Sequence, residues 1–152
     1  MNGKLITALS ALLLTAASLY FALSNGEAPR PVRPTTAISA DGGDASLAAA
    51  WRERRSDIQV DIRGTVVKLL ADDRRGAHHQ RFILRLASGQ TVLVSHNIDL
   101  APRIDTLAAG DELSLRGEYE WNDRGGVVHW THHDPQGRRA GGWIRHGERI
   151  YQ

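Results

Sequence analysis

The chain has 152 residues, 41% of them hydrophobic and 24% charged, which leaves room for one domain of about 100 residues beside a leader and a linker and excludes wholesale disorder. It contains no cysteine, so disulfides, thiolate zinc sites, cysteine nucleophiles and a lipid-modified cysteine anchor are all excluded, and any metal must sit on nitrogen and oxygen. The formal charge of +2 becomes +1 without residues 1–24, since Lys4 is their one charged side chain, and this near balance argues against a dense nucleic-acid-binding surface.

Lys4 precedes an uncharged run, Leu5 to Leu23, long enough to cross a hydrocarbon core, so residues 1–24 read as a signal peptide or membrane anchor. Ala22 and Ser24 supply the small residues that a signal peptidase needs. Either outcome places the domain outside the cytoplasm: exported, in the periplasm or tethered to the inner membrane through residues 5–23. Residues 25–43, with Pro29, Pro31 and Pro34, read as a flexible linker. Asp44 is placed to cap a short helix through Leu47 and Trp51 to about Arg55.

Beyond the helix the period changes to two. Val60, Ile62, Gly64 and Val66 alternate with polar residues, and Gly64 suggests a bulge or sharp coil. Gln80, Phe82, Leu84 and Leu86 define the inner face of a second strand, Thr91 to His96 form a third, and Ser88-Gly89 turns between them. In Asn97 to Ala109 Pro102 prevents a long helix, leaving loop and one helical turn in which Ile98, Leu100, Ile104 and Leu107 can plug a core. Leu113, Leu115, Gly117, Tyr119 and Trp121 form the inner face of a fourth strand, with Glu118 and Glu120 on its outer, solvated face. Val127 to His132 form a fifth strand, and Trp143 to Gln152 a small hairpin about His146-Gly147. Three strands, an insert and two more strands predict an all-β domain over 44–152: a small five-stranded OB-like barrel with a short helical insert and a C-terminal hairpin.

The blocks His96-Asn97-Ile98-Asp99-Leu100-Ala101-Pro102-Arg103, Glu118-Tyr119-Glu120-Trp121-Asn122, Gly125 through Pro135 and Gly142-Trp143-Ile144 resemble the bacterial family called domain of unknown function 3465. The resemblance spans Asp57 to Gln152. It implies a small exported bacterial protein with a compact β domain, and no particular activity.

The chemistry therefore rests on the residues. His96, His129, His132 and Asp134 offer the imidazoles and carboxylate that suit a divalent metal such as zinc or manganese, although their spacing is no known metal signature. On an extended strand His129 and His132 point to opposite faces, so a shared metal needs a bend near Thr131 or help from His96. A ligand-binding face is expected around His96, Asn97, Asp99, Arg103, His129 and Trp130, with Arg103 as a bidentate donor to an anion. Asn97, Asp99 and Arg103 equally suit a purely structural loop.

No phosphate loop, nucleophile elbow or helical His-Glu-His pattern is present. The leading expectation is a binding module without catalysis or a required cofactor, taking an anionic or oligomeric ligand or a partner protein at the envelope, with nucleic acid the less favoured partner. A metal-dependent hydrolase of phosphodiesters, with His133 or Asp99 as base, is the alternative from another class. A structural envelope factor is the third.

Overall fold

The structure, a computed structural model, describes residues 40–152. The expected leader, and the expected linker up to residue 39, lie outside them. Helix α1 (Ala40–Arg52) is followed by β1 (Ile58–Leu69), β2 (His79–Leu86), β3 (Thr91–Asn97), β4 (Glu112–Glu120), β5 (Val127–His129), β6 (Trp143–His146) and β7 (Arg149–Tyr151). The strands are hydrogen-bonded in the order β1-β2-β3-β5-β4, and pairing of β1 with β4 closes a five-stranded barrel. β3 and β5 are parallel, and the other pairs are antiparallel. β6 continues along the β4 edge that β5 leaves, pairing with Leu113 to Arg116, and β7 completes the terminal hairpin.

The period-two pattern becomes a barrel because each strand turns one face inward. Val60, Ile62, Val66, Phe82, Leu84, Leu86, Val92, Val94, Leu113, Leu115, Tyr119 and Val128 are buried in one cluster, joined by Ile104 and Leu107 from the β3–β4 connection. Burying a side chain of this size is worth about 1.5–3 kcal/mol, so this cluster holds the fold together. β1 is bonded along both edges at Gly64, which faces Leu86 of β2 and Leu113 of β4. A Cβ there would press on the Arg85 carbonyl and Leu84, so the glycine permits the coil that closes the barrel. The register shift itself falls later, between Val66 and Lys68.

Three local expectations are corrected. The helix starts at Ala40, four residues before Asp44, so Asp44 is no N-cap. Its buried carboxylate instead accepts the Ser88 N–H at 3.0 Å, tying α1 to the β2–β3 turn while Leu47 and Ala50 enter the core. The β3–β4 connection contains turns and no helix. It is held instead by Gln80, whose buried amide donates to the Ile104 carbonyl at 3.0 Å and accepts the Ile104 N–H at 2.9 Å, as a neighbouring strand would. Finally, β5 ends at His129, because Trp130 takes the left-handed conformation, with φ 52°, and turns the chain. Among the described residues no helix is long and apolar enough to cross a membrane.

Candidate functional site

The residues expected to bind ligand separate into two groups. His96 is fully buried at the end of β3, with Nδ1 2.8 Å from Thr131 Oγ1 and Nε2 3.2 Å from the Pro102 carbonyl. A carbonyl can only accept, so Nε2 carries the proton and Nδ1 accepts from the threonine hydroxyl. Burial pushes the pKa of the imidazole down to about 4, which leaves it neutral at pH 7 with both nitrogens engaged. Asn97 accepts the Asp99 N–H in a side-chain turn. The Asp99 carboxylate accepts the His78 N–H at 2.8 Å and lies 2.8 Å from His78 Nδ1, and these bonds hold it below the usual carboxylate range. Arg103 is held between Asp72 and Asp105. The His96–Arg103 block therefore clamps the β1–β2 and β3–β4 connections together, and its charges are spent within the protein.

The expected metal ligands are dispersed in the same way. Asp134 is buried and accepts three backbone N–H groups, from Gln136, Arg138 and Arg139, which fold the loop after it and keep its pKa low. The Nδ1–H of His132 donates to the His133 carbonyl at 2.7 Å, and the His133 ring is exposed. Neither candidate base, His133 or Asp99, meets a nucleophile or an assembled metal site. His96, His129, His132 and Asp134 do not form a ligand set; among the described residues the group of three that does is Glu118, Glu120 and His129.

That group lies on the outer face of β4 and β5. Glu118 and Glu120 are two apart on β4 and so share a face, and the register sets His129 directly across from Glu118. His129 Nε2 lies 3.8 Å from an oxygen of each glutamate, too far for a hydrogen bond. This nitrogen is shielded from solvent and has no hydrogen-bond partner among the described residues.

A groove of about 660 Å³, within the size range of ligand pockets, opens beside this group. Trp130, Asp134, Pro135, Gln136, Arg138 and Arg139 line it, together with Leu100 from the β3–β4 connection. The Arg139 guanidinium lies 4.9 Å from the Trp130 ring centre, and its Nη1 is 2.8 Å from both oxygens of Glu118. Trp130 also stacks at a tilt on His132, 5.0 Å away, which fixes the indole. Arg138 is exposed and has no ion-pair partner among the described residues. Of the expected ligand-binding residues, then, His129 and Trp130 reach this face, and His96, Asn97, Asp99 and Arg103 do not. Sequence reading missed Glu118, Glu120, Arg138 and Arg139, and the one available signal was that an outward Glu-x-Glu pair on β4 would face a histidine if β5 paired as a hairpin.

No curated protein matches the chain. The model of the family described as Protein of unknown function (DUF3465) matches residues 33–152, the described domain together with the residues just before it, and the chain belongs to that family.

Proposed function

We propose that the chain is an exported OB-type binding module, without catalysis, that holds an anionic, oligomeric ligand of the bacterial envelope in the groove between Trp130, Arg138 and Arg139. The OB reading is supported by the closed 1-2-3-5-4 strand order with β3 parallel to β5. Export is supported by the uncharged run from Leu5 to Leu23. The observation that carries the ligand class is Arg138: a guanidinium with no ion pair among the described residues, carried on the Asp134 loop beside a groove that also presents an indole and a second arginine. An anion satisfies the Arg138 guanidinium, and a ring or apolar segment covers the indole.

The test is a titration of the full-length chain with a sulfated oligosaccharide, a linear polyphosphate and a single-stranded oligonucleotide, with a neutral oligosaccharide as control, read by tryptophan fluorescence. Binding of at least one polyanion, weakened by salt and absent for the neutral sugar, is expected. Equal response to the neutral sugar, or no response to any polyanion, contradicts the proposal.

A further inference from the structure

We propose that Glu118, Glu120 and His129 form a site for one divalent cation of the zinc or manganese class, and that the cation and the Arg139 guanidinium exclude each other at Glu118. The site stands independently of the groove reading.

The first ground is geometry. One ligand atom from each residue lies within 4.8 Å of the others, and His129 Nε2 is 3.8 Å from both carboxylates. Ligands about 2.1 Å from a tetrahedral ion stand roughly 3.4 Å apart, so small side-chain rotations close the set. Two strands fix the three backbone positions, which is the rigid support a metal site needs.

The second ground is that the remaining partners do not satisfy the group. Along the outer face of β4 the charges are matched: Glu112 by Arg63, Arg116 by Asp61 and Glu118 by Arg139. Glu120 breaks the series, because its one partner among the described ion pairs is the His129 imidazole at 3.8 Å. His129 Nε2 is in turn shielded and has no hydrogen-bond partner among the described residues, 3.8 Å from two carboxylates it does not reach. A cation between the three satisfies both deficits, with imidazole and carboxylate as donors and water in the open position.

Exclusion follows from Arg139 Nη1, which sits 2.8 Å from both oxygens of Glu118. A divalent ion on that carboxylate repels the guanidinium and takes its acceptor. Arg139 then keeps its contact with Trp130 and loses its acidic partner. Cation binding thereby adds an unmatched positive charge to the groove, a consequence that does rest on the groove reading.

The experiment is calorimetric titration of zinc and manganese into the full-length chain after chelator treatment, with melting curves in parallel. One ion per chain is expected, with a rise in melting temperature. Glu120→Gln and His129→Gln are expected to bind at least roughly 100-fold more weakly, since even the outer partners of metal ligands are worth about 10–100-fold in affinity. Their melts without metal establish that they fold. Arg139→Gln is expected to bind up to about fivefold more tightly, the equivalent of freeing Glu118 from one exposed ion pair. The surface controls His78→Ala and His133→Ala should bind as the parent does. Absence of stoichiometric binding, or binding lost in the controls and retained in His129→Gln (an adventitious ion only), overturns the site. Weaker binding by Arg139→Gln overturns the exclusion.

Discussion

Glu118 of β4 and His129 of β5 occupy opposed positions of one antiparallel ladder, with His129 Nε2 3.8 Å from the carboxylate. Strand register thus builds the polar cluster, and the turn at Trp130 immediately after it swings the 130–142 loop back so that Arg139 reaches the same glutamate. Barrel, loop and groove thus form one connected unit.

The imidazole of His96 makes stability fall with acid. Its folded pKa of about 4 lies below the ordinary 6.5, so the unfolded chain takes up a proton between these values that the folded chain refuses. Stability is therefore complete above about pH 6.5 and declines toward pH 4, by at most about 3 kcal/mol from this residue. Urea unfolding at pH 7, 5.5 and 4.5 measures the slope. Replacement His96→Gln, which cannot titrate, flattens this part of the profile even where it lowers stability throughout.

Gln80→Leu removes both bonds to the Ile104 backbone and leaves a buried N–H and carbonyl unpaired. The expected loss is about 2 kcal/mol or more, at roughly 1–3 kcal/mol for each buried group left unsatisfied. Hydrogen exchange locates it: protection should fall first across residues 98–107. Uniform loss across the barrel contradicts the clamp.

Asp134→Ala deletes the acceptor of three loop N–H groups without touching the barrel. Polyanion binding is expected to drop strongly while the far-ultraviolet circular dichroism spectrum stays that of the parent. Unchanged binding means that Arg138 and Arg139 do not need this loop to be folded.

Gly142→Ala is expected to prevent normal folding or to release the 130–142 loop. A Cβ at that position overlaps the carbonyls of Trp130 and Arg116, where the returning chain crosses β4 to begin β6. Gly76→Ala provides the comparison: nothing lies near its Cβ, and its cost is the backbone strain of φ 73° alone. Proteolysis rates of the two variants measure the difference, and equal rates contradict the close approach.

The alternation in β1 to β4 was legible because each strand has one wet and one buried face, so Phe82, Leu84, Leu113 and Leu115 announce their direction. β5 was overextended to His132 because a tryptophan carries no signal for a positive φ; the turn at Trp130 comes from tertiary packing on His132 and Arg139. The His96–Arg103 block looked functional because its side chains are polar and closely spaced. Apart from Asp105, two residues from Arg103, their partners Thr131, His78 and Asp72 lie 21 to 35 residues away and are brought in by the barrel's closure. Glu118 and Glu120 read as solvated charge for the complementary reason, since periodicity assigns a face and cannot supply the residue opposite.

The most direct measurement is a residue-resolved nuclear magnetic resonance titration of the chain with each of the three polyanions in turn, read on the one that binds. The account predicts that the Trp130 indole N–H and the amides of Gln136, Arg138 and Arg139 shift together and saturate, while Gly89, Thr91 and Arg124, which line a separate groove, stay fixed. Shifts concentrated on Gly89, Thr91 and Arg124, with Trp130 and the 136–139 amides unmoved, would place the binding face at that other groove and contradict it.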